Sequence, residues 1–106
     1  MKPESVPNIA ALQYQDGATV SVVLLKNTGG SITAFAFAEG QELSEHSTPH
    51  DAFVFVLEGT MRVSIAGTPH ELSAGGYLVL PANVPHALAA LKPSKMVLTM
   101  LKKPMN

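Results

Sequence analysis

Short apolar runs recur along the chain from Thr19 onward, each closed by Gly, Pro or Asn. The runs are Thr19–Lys26, Ser31–Ala38, Ala52–Leu57, Met61–Ala66, His70–Leu72, Tyr77–Leu80, His86–Leu91 and Met96–Lys102. They are rich in Val, Ile, Leu, Phe and Thr, and their lengths are those of strands. The breaks between them supply a positive φ or a preset φ near −65°. Asn27-Thr28-Gly29-Gly30, Gly59-Thr60, Ser73-Ala74-Gly75-Gly76, Pro81–Pro85 and Lys92-Pro93-Ser94 are such breaks. The spacing predicts one all-β domain, a sandwich or barrel. Residues 1–17 are set apart as an N-terminal arm and 18–106 as the barrel domain. In the arm, Ile9-Ala10-Ala11-Leu12 after Asn8 predicts one helical turn with an Asn cap. Glu39, Glu42, Glu45 and Asp51 read as a solvated acidic loop.

Two runs are apolar on both faces, which predicts burial on both. In Ser31–Ala38, Ile32, Ala34, Ala36 and Ala38 share one face and Thr33, Phe35 and Phe37 the other. In Ala52–Leu57, the small or branched residues share one face and Phe53, Phe55 and Leu57 the other. The small-residue faces are expected to line the interior. The faces carrying the large rings are expected to meet a second layer, a loop of the same chain or a second subunit.

Composition sharpens this picture. Hydrophobic residues make up 46% of the 106-residue chain and charged residues 14%, against roughly 25% charged in an average soluble domain. So little charge is sparse cover for a small monomer, and a homodimer is expected, with the outward face of Phe53, Phe55 and Leu57 at or near the contact. Net charge is −1, with Arg62 the one Arg, so a nucleic-acid partner is not expected. No apolar run reaches the roughly 18 residues of a membrane span. Met1-Lys2-Pro3-Glu4-Ser5 carries no secretory pattern. With no Cys for disulfides or thiolate sites, the expected compartment is the cytoplasm.

Candidate chemistry rests on the four His, at 46, 50, 70 and 86. Imidazole suits Fe, Ni, Cu and Zn when its ring is fixed. His70 reads as a solvent-facing hairpin residue. No phosphate-binding Gly-rich loop, no nucleophile elbow and no thiol is present. Met61, Met96 and Met100 read as core filler.

Gly40–Gly59 and Gly75–His86 resemble the two motifs of the cupin superfamily. Gly40 and His46 match the start of the first motif, and Val56-Leu57-Glu58-Gly59 its end. Gly75, Pro81 and His86 match the second in register, with Asn83 where that motif has Gly. Asn tolerates the left-handed backbone better than other side chains. The resemblance implies an antiparallel double-sheet jelly-roll barrel of the small, single-domain, RmlC-like type. It also implies a divalent metal site, with Glu58 in a structural role. Thr48 stands at the second His position of the first motif, Ala52 at its Glu and Ala90 at the closing Asn of the second. His46 and His86 remain, and two imidazoles hold a metal weakly.

His50 is the candidate third ligand, although Ser47-Thr48-Pro49-His50-Asp51 reads as a turn that puts it at the barrel mouth. Gln41 and Glu45 are weaker candidates. The expected pocket is walled by Val54, Val56, Met61, Val63 and Met100, with Gln41 nearby, and is widened by Thr48 and Ala52. Two function classes follow. One is a metal-dependent oxygenase or isomerase on a small organic molecule, with Fe, Mn, Ni or Zn held by His46 and His86 and completed by His50. The other is a metal-free small-molecule-binding barrel or a catalytically degenerate cupin.

Overall fold

The computed structural model describes residues 7–103. Residues 1–6, which include the segment read for a secretory pattern, and residues 104–106 lie outside it. The strands are β1 (Thr19–Asn27), β2 (Gly30–Phe37), β3 (Glu42–His46), β4 (Asp51–Glu58), β5 (Thr60–Ile65), β6 (Thr68–Ser73), β7 (Tyr77–Leu80), β8 (His86–Ala90) and β9 (Ser94–Leu101). They form two antiparallel sheets, a five-stranded one ordered β1-β2-β9-β4-β7 and a four-stranded one ordered β3-β8-β5-β6. The all-β double-sheet expectation is met. One element was not anticipated. Glu42–His46 is an edge strand in which Leu43 is the one apolar residue, so its polar residues gave no alternation to read. Among the described residues, no helix is long and apolar enough to cross a membrane.

The two sheets enclose one core, led by Phe37, Met61, Leu80, Met96, Val54 and Val56, all at most 1% exposed. Each fully buried side chain of this kind contributes roughly 1.5–3 kcal/mol. On β4 the faces fall as expected, with Ala52, Val54 and Val56 inside. On β2 they are reversed. Phe35 pairs with Met96, and Met96 with Val56, so Phe35 and Phe37 point inward. Ala34 and Ala36 point outward, yet neither is exposed.

Their cover is the arm. Ile9–Ala11 form a single 3₁₀ turn, and the Asn8 side chain accepts from Ala10 N. This turn flanks Val22, the cross-strand partner of Ala34. Farther on, the Tyr14 hydroxyl donates to Glu58 Oε2 at 2.5 Å. Lys95 Nζ, on the partner residue of Ala36, lies 5.3 Å from the Tyr14 ring centre. The arm therefore crosses the outer face of the larger sheet, and Glu58 anchors it.

The β4–β5 connection needs glycine. Gly59 has φ +84°, and a Cβ there would lie 2.2 Å from Pro93 O and 2.3 Å from Ser94 Oγ. Only a residue without a side chain lets these backbones approach. Buried Ser94 spans the gap, accepting from Thr60 N and donating to Lys92 O.

Candidate functional site

His46 is the last residue of β3 and His86 the first of β8, and the two are cross-strand partners. Ile65, at the end of β5, is the next residue in that row. Leu43 pairs with Leu88 and His46 with His86, so β3 spends one residue more than β8 over this stretch. Such a bulge re-aims a side chain. Without it, His46 and Leu43, an odd number of positions apart, would face opposite sides. With it, both face the interior beside His86 and Leu88.

The two imidazoles meet edge to face, with ring centres 4.5 Å apart and planes at 67°. Each ring is tied back to its own strand. His46 Nδ1 is 2.8 Å from Ser44 O, and His86 Nδ1 is 3.3 Å from Val84 O. A carbonyl can only accept, so each Nδ1 carries the hydrogen, and in the neutral ring Nε2 is left as the acceptor. His86 is 6% exposed and His46 is exposed. The His86 pKa is lowered by burial first and by the nearby His46 second, against the pull of the Val84 carbonyl. His86 is thus biased toward its neutral ring.

The loops around the pair are stitched together. Asn83, at the motif position that carries Gly, takes φ 65° as the sequence predicts, and its N–H donates to Thr48 O. Ala82 N donates to Asp51 Oδ1 at 2.9 Å. Pro85 O accepts from Ala66 N. Asp51 was not singled out in the sequence as a framing residue, because its partner lies in the other loop.

The remaining predicted site residues part company with the pair. His50 does not join it. The His50 Nδ1 accepts from Lys103 N at 3.1 Å, which fastens the bend to the end of β9. The Thr48 hydroxyl is spent on His50 O within the same bend. Gln41 sits before β3, its carbonyl accepting from Ala90 N at the far end of β8, away from the His pair. Val54, Val56, Met61 and Val63 have no exposed surface and fill the core rather than wall a pocket. Ala52 and Met100 are cross-strand partners, Ala52 buried and Met100 half-buried. Glu45 and His70 are exposed, the latter as expected.

Among the described residues, no group of three or more His, Cys, Asp or Glu is placed to hold a metal. A protein-held centre takes three or four ligands. The pair has the fixed rings such a centre uses, but it falls short in number, so these residues do not by themselves make a resident metal site.

Residues 34–102 match the Cupin_2 family model, described as a cupin domain. A conserved protein of unknown function from Streptococcus pyogenes has a similar structure, with TM-score 0.89, 28% identity, and coverage of 99% of this chain and 93% of that one. A Cupin 2 conserved barrel domain protein from Leptotrichia buccalis gives TM-score 0.85 and 35% identity over 90% of this chain and 46% of that one. Among curated proteins, dimethylsulfoniopropionate lyase DddW of Ruegeria pomeroyi is 37% identical over 54 residues. That match spans 51% of this chain and only 36% of the lyase.

Proposed function

The chain belongs to the Cupin_2 family of cupin domains, and from that premise we propose that it binds a small organic molecule at the His46/His86 end of the barrel. The observation that carries this reading is the pair of rings with both Nδ1 atoms tied to backbone carbonyls. Each ring keeps its Nε2 to offer, and Ile65, the cross-strand partner of His86, supplies apolar surface beside the pair. Such a site accepts two hydrogen bonds from one ligand and packs against its carbon skeleton. Hydroxyl or N–H groups on adjacent atoms of a small molecule meet that requirement. The partial match to a lyase named for a small organic substrate is in keeping with a ligand of this size.

A divalent metal is the second reading, favoured by the same Nδ1 ties and set back by the ligand count. One experiment separates the two. The purified protein is reconstituted with Fe, Mn, Ni or Zn, dialysed and analysed for metal, alongside His86→Ala. The ring nitrogens are assigned by NMR, and a panel of small polyols, hydroxy acids and amides is titrated. The binding reading expects substoichiometric metal and a compound that shifts both Nε2 resonances. Stoichiometric metal that survives dialysis and disappears in His86→Ala would establish the metal reading instead.

A further inference from the structure

One end of the larger sheet gathers charge of both signs. Asp51, the first residue of β4, is the cross-strand partner of Leu101, the last residue of β9. Lys102 and Lys103 follow directly. Ala52 faces the core, so by alternation Asp51 and its partner Leu101 face the outer side. A hollow of ≈ 360 Å³ opens there, lined by Pro49, Asp51, Ala82, Leu101, Lys102 and Lys103. Its volume falls at the small end of the roughly 300–1,000 Å³ of ligand sites. His46 and His86 take no part in its lining.

Hydrogen bonds fix the backbone around this hollow. Ala82 N donates to Asp51 Oδ1 at 2.9 Å, which orients the carboxylate. Lys102 N donates to Gly29 O, and Lys103 N to His50 Nδ1. Both lysines therefore start from pinned positions. An ionised carboxylate has about four lone-pair sites and an ammonium group three donors. Ala82 N takes one of the sites on Asp51. An anchored acceptor and two cations thus border one small space, with Pro49, Ala82 and Leu101 beside them. Exposed Lys–Asp pairs contribute little, so these lysines are readily redirected from Asp51 to a ligand.

We propose that this hollow binds a small zwitterion of the α-amino acid kind, its carboxylate on Lys102 and Lys103 and its ammonium group on Asp51. The pattern of signs selects the class. A simple anion gains the lysines but meets the like charge of Asp51. A simple cation gains Asp51 but meets two ammonium groups. A zwitterion finds the opposite charge at both ends, in hydrogen bonds of the stronger, charge-assisted kind. An apolar side chain on it covers Leu101, which is 63% exposed. This site is separate from the one at His46 and His86 and does not depend on it.

The test is an NMR titration of the full, isotope-labelled chain with leucine. Two analogues run beside it: isocaproate, which lacks the ammonium group, and isoamylamine, which lacks the carboxylate. Leucine is expected to shift the Ala82, Leu101, Lys102 and Lys103 amides saturably. Each analogue is expected to bind about ten-fold or more weakly, as for loss of a hydrogen bond between charged groups. Asp51→Asn keeps an acceptor for Ala82 N and removes the charge. It is expected to weaken leucine by a similar factor and to leave isocaproate no weaker. Lys102→Gln with Lys103→Gln is expected to weaken both. No saturable shift up to the solubility limit of leucine overturns the proposal. Equal affinity for leucine and isocaproate in the wild type overturns it, because the hollow would then be a simple anion site. So does leucine binding that is unchanged in both variants. Shifts confined to the His46 and His86 rings would assign the compound to the other site and overturn it too.

Discussion

Tyr14 donates its hydroxyl to Glu58, 44 residues along the chain, at 2.5 Å. The bond fastens the arm to the end of β4. Burial, the hydrogen bond and the charge of Glu58 together push the phenol pKa well above its ordinary 10.0. A raised pKa in the folded state means the unfolded chain loses its proton first as pH rises. The stability contributed by Tyr14 is therefore complete below about pH 10 and lost above it. Tyr14→Phe is expected to cost about 1 kcal/mol at neutral pH, the bond being partly exposed to solvent. Urea midpoints at pH 7 and above pH 10 check this. The wild type should lose more than the variant on the alkaline side, and equal losses would count against the assignment.

The buried ring of the His pair makes a prediction of the opposite sign. His86 is held below its ordinary 6.5, so the unfolded chain takes up the proton first as pH falls. Its stabilising contribution is complete above 6.5 and lost as pH drops through the folded value. Replacing His46 by Gln removes the second cause of the lowering. The His86 titration followed by NMR is expected to move upward toward its ordinary value in His46→Gln. An unmoved midpoint would show that the two rings do not sense one another.

Met61, read in the sequence both as core filler and as a pocket wall, is sealed in the core. Met61→Ala is accordingly expected to cost about 2–5 kcal/mol, the range for a large buried side chain cut to Ala. A pocket-lining residue would cost much less. Denaturant unfolding at constant m value distinguishes the two.

Two backbone positions invite opposite substitutions. Ala66 holds φ 50° in the β5–β6 turn, followed by Gly67 at φ 82°. A side chain in that region costs roughly 1–2 kcal/mol, part of which Gly returns as chain entropy. Ala66→Gly is expected to gain about 0.5–1 kcal/mol, a rise of about 2–6 °C in Tm. Gly59→Ala meets both the same strain and the backbone of Pro93 and is expected to lose more than about 2 kcal/mol. Thermal unfolding of the two variants reads both.

The strands that carry the core were legible because Val, Ile and Phe fall between turn residues at regular intervals. Asn83 was legible because only a few residues accept its backbone. β3 was not, since an edge strand with one apolar residue shows no alternation to read. Alternation also misassigned β2. It shows that two faces differ, but with both apolar only the neighbours decide which turns inward, and here Met96 does. Occupancy of the interior escaped for a related reason. The sequence marks which side chains face in, not how tightly Phe37, Met61 and Met96 fill the space between the sheets. The partner of His50, Lys103 N, lies 53 residues away and leaves no local trace.

The position of β9 governs when any of this can exist. It is the last strand in sequence and the middle strand of the larger sheet, flanked by β2 and β4. Until ribosomal synthesis has passed Leu101, β2 and β4 have no shared neighbour. The bend at His50 likewise lacks the backbone group that fixes it. The earlier strands must wait as an incomplete sheet, with apolar rows uncovered. Completion of the larger sheet therefore waits until β9 has been made, and most of its contacts are non-local, a topology that folds slowly. A stop introduced ahead of Ser94 would do more than shorten the product: it would remove the keystone of the sheet and leave a chain that chaperones and proteases treat as unfolded.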